Sequence, residues 1–323
     1  MDLDVIMPFH RGDEFLNEAV KSLVANTAVN FRLIAVDDRI DQGEDLSRIF
    51  SQVKNLELVK TPGGSGYGQA LKIGSEYVRA DSCALMNSDD VVHPERFIKQ
   101  LKVLNDAELV VAKMQRIDKK GKRIPSLSGS ITSQTYDPFL LLFGSYGADA
   151  TWCMRSSWWK ENAFFDTYEC LDWRIGMQTF GNSTIKLLNE KLYFYRKHNQ
   201  QVTANTSIDS KLFDPVYLLW RTLSNHYGLE FGTRAVFDLI ATPWRTGEVA
   251  NKQEIYSWIS SVKNQKAIFS SEVYENIENL ILRRFIFASR LKMNPRMNRA
   301  RYFLSGSPAL PKLITETAST VRN

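Results

Sequence analysis

The stretch Leu85-Met86-Asn87-Ser88-Asp89-Asp90-Val91-Val92-His93-Pro94 decides how the first half of this chain is interpreted. It begins as an apolar strand, continues through an amide, a hydroxyl and two adjacent carboxylates, and ends at a proline suited to start a helix. Acids at the end of a buried strand are costly unless a metal or ligand lies beside them, and in open α/β sheets that edge binds ligands. These oxygens suit a hard divalent cation that carries a diphosphate. The alternative is a solvated loop with an Asx turn and a helix cap.

The sequence around this stretch alternates short apolar runs with amphipathic segments. The apolar runs predict strands at 3–8, 31–36, 56–59, 83–86 and 109–114. Apolar residues at helical spacing predict helices after Asp13, near 46–53, after Gly68 and from Pro94. The alternation indicates βαβ units and therefore an α/β fold with a largely parallel sheet flanked by helices.

Polar residues follow three of the predicted strands. Right-handed crossovers place the carboxyl ends of such strands along one edge of the sheet. Pro8, Asp37, Asp38 and Asp89 are then expected to converge there. Helix caps alone explain three polar strand ends poorly, so the pattern favours a binding site.

The loop Gly63-Gly64-Ser65-Gly66-Tyr67-Gly68 precedes a predicted helix. Its backbone N–H groups are suited to cradle a phosphate. It is not a G-x-G-x-x-G after the first strand, and it lacks the G-K-[ST] ending of a P-loop, which disfavours a dinucleotide dehydrogenase or a P-loop nucleoside triphosphatase. The alternative is a flexible connection between a strand and a helix.

Length and composition fit a globular protein. The 323 residues are 44% hydrophobic and 24% charged, which predicts a sizeable core in one large or two modest domains. A net charge of +5 is too small to indicate a nucleic-acid partner. The three cysteines lack metal-type spacing, and the sequence shows neither a secretory signal nor an apolar run of spanning length. We therefore expect a cytoplasmic protein.

Several segments, in order, resemble family 2 glycosyltransferases of the GT-A fold. In the first half these are Val5-Ile6-Met7-Pro8-Phe9-His10, Ala35-Val36-Asp37-Asp38, Gly66-Tyr67-Gly68-Gln69-Ala70 and Leu85 to Pro94. In the second half, Phe164-Phe165-Asp166 resembles the segment before the catalytic helix, Leu171-Asp172-Trp173-Arg174 the Glu-Asp-aromatic motif, and Tyr193 to His198 the closing Tyr-Arg-x-His element. The likeness spans roughly residues 3–204.

The resemblance implies a GT-A, Rossmann-like domain at 1–204, with a nucleotide-sugar half at 1–115 and an acceptor half at 116–204. The residues that would bind the nucleotide are Pro8, His10, Asp37, Asp38, Gly66, Asn87 and Ser88. Asp89 and His198 would hold Mn²⁺ or Mg²⁺, with Asp90 supporting their loop. Arg196 would meet the diphosphate, and Asp172 would be the general base. One base and a direct displacement predict inversion at the anomeric carbon.

Two positions depart from the family pattern. Asn87 replaces the first acid of the Asp-x-Asp motif, which weakens the charge on the metal site but leaves Asp89 in place. Leu171 stands where the family often has Glu, so Glu169 is the alternative base to Asp172. Asp172 has a plain interpretation too, as an exposed helix acid paired with Arg174.

Trp152, Trp158 and Trp159 form an aromatic cluster on the expected acceptor side. Aromatic faces stack on sugar rings, although such clusters also build cores and interfaces. Of the three, Trp152 is expected to bind the acceptor.

Residues 205–323 predict a mostly helical appendage without a catalytic motif. Its last predicted helix, 281–303, carries seven basic residues and no acid. Basic residues interleaved with apolar ones are typical of a helix at an anionic membrane surface. A solvated basic face, or a contact between copies in a homo-oligomer, is the alternative.

The leading hypothesis is a metal-dependent, inverting glycosyltransferase, hexosyl-type, that builds a cell-surface glycan such as capsule or lipopolysaccharide. It would take a nucleoside-diphosphate sugar, a UDP-sugar by default, and a glycan or lipid-linked acceptor, in the cytoplasm or peripherally on the inner membrane face. A nucleotidyltransferase is disfavoured because Pro8-Phe9-His10-Arg11 supplies no glycine- and basic-rich signature. Asn87 and Leu171 keep open a non-catalytic scaffold that binds donor without turnover.

Overall fold

A computed structural model describes residues 2–41, 45–124, 141–142, 145, 147–163, 171–179, 181–199, 201, 214–229, 233–241 and 252–264. The chain divides into two compact units. The first comprises Met1–Ser126, Gln134–Pro138 and Ser145–Leu212, and the second Leu127–Ser133, Phe139–Gly144 and Phe213–Asn323. The division is thus not a single cut at residue 204, because parts of 127–144 group with the second unit.

The first unit alternates strands and helices. Its first ten elements are β1 (Leu3–Phe9), α1 (Glu14–Val24), β2 (Phe31–Asp37), α2 (Ser47–Phe50), β3 (Leu56–Lys60), α3 (Tyr67–Glu76), β4 (Ser82–Leu85), β5 (Val91–Val92), α4 (Arg96–Leu104) and β6 (Leu109–Asp118). Then follow a short 3-10 turn (Asp149–Thr151), β7 (Trp152–Arg155), α5 (Ser156–Asn162), α6 (Leu171–Gln178) and β8 (Ile185–Lys197).

The eight strands form one mixed sheet in the order β3-β2-β1-β4-β7-β6-β8-β5. The neighbours β1, β2, β3 and β4 run parallel, as the alternation with helices predicts. Strand β7 is antiparallel to both of its neighbours, β4 and β6, whereas β6 and β8 are parallel. The parallel arrangement expected from the alternation is confirmed for β1 to β4, whereas the antiparallel strands β5 and β7 were not among the predicted strands.

Two apolar layers cover the faces of the sheet. Leu16, Ala19, Val20 and Leu23 of α1 recur at helical spacing and are buried against one face. The Asp13 carboxylate accepts from the backbone N–H of Phe15 and Leu16 and so caps α1. On the other face, a Cβ at Gly74 of α3 would lie 2.7 Å from the Ile6 side chain, so a glycine lets α3 approach the sheet closely.

Arg96 joins three parts of the first unit from a fully buried position. Its guanidinium donates to the carbonyls of Leu85 over 3.0 Å, Ala150 over 2.9 Å and Trp152 over 3.2 Å. It also donates to the Gln100 side chain over 2.9 Å. The end of β4 and the turn before β7 are thereby fixed to α4. Burial lowers the pKa of Arg96 to about 10.

The two-residue strand β5 lies inside the stretch from Leu85 to Pro94. Val91 and Val92 pair antiparallel with Phe194 and Tyr193 of β8. The residues between Met86 and Val91 are thereby a short loop held at both ends, called the acid loop below, and the helix α4 begins at Arg96, two residues after Pro94. Asp89 and Asp90 consequently lie in a loop next to β8.

The described part of the second unit is helical. It contains α7 (Asp214–His226), α8 (Arg234–Ala241) and α9 (Lys252–Asn264). Trp220 stacks on Trp258 with ring centres 6.2 Å apart and packs edge-on against Phe237. Among the described helices, none has the length and apolar character needed to cross a membrane. The predicted basic helix at 281–303 lies outside the described residues.

Candidate functional site

The carboxyl ends of β1, β2 and β4 lie side by side, because β1 pairs in parallel with both other strands. Pro8 is buried in β1, and His10 is exposed just after the strand. Asp37 ends β2 opposite Phe9, and the backbone N–H of Asp38 donates to the Phe9 carbonyl over 2.8 Å. The polar strand ends therefore converge at one edge of the sheet.

Asp37 is held by Arg39. Its carboxylate accepts from Nε and one Nη of Arg39, both over 2.9 Å, and from the Arg39 backbone N–H over 3.1 Å. The guanidinium also lies over the Phe9 ring. Since Asp37 is buried, this ion pair fixes the end of β2, and a direct contact of Asp37 with a nucleotide requires the pair to open.

Asp38 holds the glycine-rich loop. Its carboxylate accepts from the backbone N–H groups of Ser65 over 2.9 Å and Gly66 over 2.8 Å, and from the hydroxyl of Thr61. Gly66 has a φ of 88°, a conformation that favours glycine. A carboxylate offers about four acceptor positions, so the loop leaves Asp38 roughly one for a ligand.

Asp90 is the buried centre of the acid loop. One oxygen accepts from the Arg196 backbone N–H over 2.7 Å. The other accepts from the Tyr193 hydroxyl over 2.7 Å and from the Asn87 side chain over 3.3 Å. Burial and the neighbouring charge of Asp89 raise the pKa of Asp90 to about 8. Asp90 thus supports the loop, as the sequence predicts, and Asn87 is part of that support.

Arg196 lies where a diphosphate cannot reach it in this conformation. Its side chain is fully buried. Its guanidinium donates to the carbonyls of Asp89 over 2.8 Å and Lys119 over 3.1 Å, and to the Glu18 carboxylate over 2.5 Å. It also lies over the ring of Phe15 at 4.8 Å. The predicted diphosphate contact is therefore corrected: Arg196 positions the backbone of the acid loop.

Asp89 and His198 face each other across the acid loop. Nε2 of His198 lies 2.9 Å from Oδ2 of Asp89, and the Asp89 side chain is 29% exposed. The His198 ring packs on Phe15 with centres 4.8 Å apart. Both predicted metal ligands are thus together, and Asp89 is open to solvent.

A metal with only this pair needs further ligands. In the part of the chain that the structure describes, no three His, Cys, Asp or Glu side chains gather as a metal cluster. Asp90 adds no ligand, because both of its oxygens are bonded within the protein. One carboxylate and one imidazole nevertheless fit a cation that takes its remaining oxygens from a phosphate ligand and water.

Asp172 lies in the first turn of α6. Its Oδ2 accepts from the Ser145 hydroxyl over 2.8 Å. Burial, together with the negative charge of Asp149, raises the pKa of Asp172 to about 7. A carboxylate with such a pKa is matched to accept a proton near neutral pH. The alternative of an exposed acid paired with Arg174 is wrong, because the Asp172 carboxyl is bonded to Ser145 and desolvated.

Asp149 is a second carboxylate beside Asp172. Its Oδ2 accepts from the Tyr67 hydroxyl over 2.9 Å, and its Oδ1 from the backbone N–H of Ala150 over 2.8 Å. Burial raises the pKa of Asp149, as it raises that of Tyr67. The base predicted from sequence therefore has an acidic partner that the sequence interpretation missed.

The predicted acceptor contact of Trp152 is corrected. Its side chain is 2% exposed and packs edge-on against Trp158 in the apolar layer under α5. This cluster is core, the alternative that the sequence also allowed. The other alternative residue, Glu169, lies outside the described residues.

The sequence interpretation missed the roles of Asp149, Tyr67, Ser145 and Tyr193. Tyr67 belongs to the glycine-rich loop motif. The hydroxyl of a tyrosine that is partly buried usually forms a hydrogen bond, which is a signal for a partner such as Asp149. Ser145 and Asp149 precede β7 without a recognisable motif. Tyr193 is central because its hydroxyl meets Asp90, a pairing that only the strand register reveals.

Comparison with known proteins agrees with this arrangement. The chain is 28% identical over 147 residues to an uncharacterized glycosyltransferase of Haemophilus influenzae, covering 44% of this chain and 58% of that protein. It is 24% identical over 127 residues to one of Rickettsia felis, covering 38% of this chain and 21% of that protein. The matched region thus spans less than two thirds of either relative.

Among solved structures, the crystal structure of S. aureus TarS 1-349 in complex with UDP-GlcNAc is similar, with a TM-score of 0.58 and 16% identity. The match covers 90% of this chain and 88% of that chain. At this identity the likeness concerns the fold, and it confirms the GT-A architecture. The sequence model described as Glycosyl transferase family 2 matches residues 4–186, more than half of the chain. The chain therefore belongs to glycosyl transferase family 2.

Proposed function

We propose that this protein transfers a sugar from a nucleoside-diphosphate sugar to a hydroxyl of an acceptor glycan, with inversion at the anomeric carbon. The observation that supports this best is Asp172, a half-buried carboxyl bonded to Ser145, with a pKa raised to about 7, in the same unit as the acid loop. An exposed acid with only a structural role would keep a pKa near its ordinary value. A general base that operates near neutral pH needs a raised pKa.

Asp172 takes the proton from the acceptor hydroxyl. The acceptor oxygen then attacks the anomeric carbon, the bond from that carbon to the diphosphate oxygen breaks, and the electron pair leaves with the diphosphate. The Ser145 hydroxyl, 2.8 Å from Oδ2, and the backbone N–H of Trp173, 2.8 Å from Oδ1, orient the carboxylate, which takes the acceptor proton on a remaining lone pair. A single displacement by one base inverts the anomeric configuration, so an NMR assay that finds a retained configuration contradicts this mechanism.

The donor binds at the edge where β1, β2 and β4 end. Pro8 and His10 flank the nucleotide base, and Asp38 offers its remaining acceptor position beside the loop at Gly66. Asn87 and Ser88 border the diphosphate side through the acid loop. UDP is the first nucleotide to test, because similar solved structures contain UDP-GlcNAc and UDP.

Asp89 and His198 are the residues that would hold Mn²⁺ or Mg²⁺ beside the donor diphosphate. When bound, the cation supplies Lewis-acid stabilisation of the charge on the leaving diphosphate. Arg196 and Asp90 keep the loop in place through its backbone, so that Asp89 points outward.

The acceptor is a glycan or lipid-linked glycan of the cell surface, elongated on the cytoplasmic side. The basic segment 281–303 is the proposed contact with anionic lipids. A liposome-flotation assay that finds no binding to anionic vesicles contradicts the membrane contact and leaves the transfer reaction unaffected.

The test is calorimetric titration of UDP with Mn²⁺ into the purified chain, into Asp89→Ala and into Asp106→Ala as a surface control. We expect binding to the wild type and the control that needs Mn²⁺, and loss of binding with Asp89→Ala. A donor screen then compares the wild type with Asp172→Asn, which should bind donor and lose transfer. Absence of binding for UDP, GDP, CDP and dTDP contradicts the proposal. Binding with no transfer to any acceptor also contradicts it and favours the non-catalytic scaffold that binds donor without turnover.

A further inference from the structure

The proposed base is not an isolated carboxyl. The segment before β7 brings Ser145 and Asp149 to the same region, and the two residues bind different partners. Ser145 donates to Asp172, whereas Asp149 accepts from Tyr67. One short segment therefore connects α6, which carries Asp172, with α3, which begins at Tyr67.

The position of Asp149 is fixed from three sides. Arg96 holds the carbonyls of Ala150 and Trp152, and the Thr151 hydroxyl donates to the Ala148 carbonyl over 2.7 Å. The Tyr67 hydroxyl then fixes the carboxylate itself, at 2.9 Å. Hydrogen bonds from the Tyr67 hydroxyl and the Ala150 backbone N–H therefore hold the Asp149 carboxylate while its charge acts on Asp172.

We propose that Asp149, oriented by the hydroxyl of Tyr67, is a positioning residue that sets the protonation of Asp172. The role of Asp172 as a general base rests on the proposed glycosyl transfer. The coupling between the two carboxyls does not rest on it. Tyr67 is a titratable group that faces this pair in the described part of the chain, and the charge of Asp90 acts on Tyr67.

The physical reason is that each ionised carboxylate disfavours ionisation of the other in a desolvated region. The hydrogen bond from Tyr67 favours the charged form of Asp149, because it lowers the pKa that burial raises. With Asp149 charged, the pKa of Asp172 stays at about 7. Removing the Tyr67 hydroxyl lets Asp149 keep a proton to higher pH, and Asp172 then ionises more easily.

Two variants separate this role from a merely structural one. Asp149→Asn removes the charge and retains an oxygen that can accept from Tyr67. Tyr67→Phe removes the hydroxyl that donates to Asp149 and leaves the Ser145–Asp172 hydrogen bond unchanged in its two partners. Tyr77→Phe is the matched control, because it makes the same substitution at the other end of α3, where no carboxylate partner is found among the described residues.

The measurement is the pH titration of aspartate carboxyl carbons by NMR, on the full chain without nucleotide, with the Asp172 signal assigned from Asp172→Asn. We expect the Asp172 midpoint at about 7 in the wild type and Tyr77→Phe, and lower in Asp149→Asn and Tyr67→Phe. In both variants the midpoint should stay above 3.8, because burial remains. A fall of one pH unit would raise the ionised fraction at pH 6 from about one tenth to about one half.

An unchanged Asp172 midpoint in Asp149→Asn overturns the proposal, as does an equal shift in Tyr67→Phe and Tyr77→Phe. Should Tyr67→Phe fold poorly, Asp149→Asn alone decides the result. The titration needs no substrate, so a chain that fails to transfer sugar but shows the shift disproves the proposed function and leaves this coupling standing. Where transfer is active, the acid limb of the kcat profile should move with the same midpoints.

Discussion

Replacing Asp172 by Asn should stabilise the folded protein at alkaline pH while abolishing transfer. The pKa of Asp172 is raised from the ordinary value of 3.8 to about 7 in the folded protein. Between these two pH values the folded state therefore keeps a proton that the unfolded state has released. A raised folded-state pKa means that stability is fully present below the unfolded pKa and is lost as the pH rises through the folded one. The neutral amide of the variant does not ionise and avoids that loss.

The magnitude follows from the pKa difference. About three pH units at 1.36 kcal/mol each give about 4 kcal/mol in full, of which about two units fall between pH 5 and pH 8. Solvent screens part of this side chain, so we expect the stabilisation by Asp172→Asn to grow by about 2 kcal/mol from pH 5 to pH 8. The assay is urea unfolding of the wild type and the variant at both pH values.

Asp106→Asn is the control for this measurement. The Asp106 side chain is 80% exposed and forms a surface ion pair with Lys186 over 3.5 Å. Its free energy of unfolding should change by less than about 0.5 kcal/mol at either pH. A stability difference between wild type and Asp172→Asn that is the same at pH 5 and pH 8 would refute the raised pKa and, with it, the physical basis for Asp172 as the base.

Three further outcomes test the same structure. The kcat/KM for transfer should rise about tenfold from pH 6 to pH 8, as a group with a pKa of about 7 ionises, and a flat profile would contradict the assignment of the base. Arg96→Met should lower the free energy of unfolding by about 3 kcal/mol, since it strands three buried carbonyls, whereas Arg79→Met at an exposed position should change it little. Gly74→Ala should cost about 1–3 kcal/mol, because its Cβ would lie 2.7 Å from Ile6 and 2.8 Å from Val36; calorimetric melting that shows no loss would mean that α3 can shift outward.

The local elements of the first half were predictable because their signals are local. The strands β1, β2, β3 and β4 differ from the predicted ranges by at most one residue at either end, and Asp13 caps α1 where a helix start was expected. The helix predicted near 46–53 shrinks to Ser47–Phe50. That segment lacks a side-chain cap hydrogen bond, and apolar spacing alone does not fix where a helix begins.

The parts that sequence did not predict depend on distant partners. Strand β5 is two residues long and exists only through its pairing with β8, about one hundred positions later in the chain. The antiparallel β7 has no periodicity that distinguishes it from a parallel strand. Arg196 illustrates the same limit in the site: a basic residue near a predicted diphosphate suggests a ligand contact, and only the packing shows its charge bonded to Glu18 and two carbonyls.

The pairing of β5 with β8 also has a consequence for how the protein is made. The acid loop is held by Tyr193 and by the backbone of Arg196, both of which follow it by more than one hundred residues. Closing so long a loop is entropically costly, so the contact between the acid loop and β8 forms late on the folding pathway. During synthesis, β1 to β4 can assemble while Asp90 still lacks its partners. The edge of the sheet that is proposed to bind the donor is therefore complete only after β8 has emerged from the ribosome. A nascent chain that ends before β8 has a sheet without a complete site.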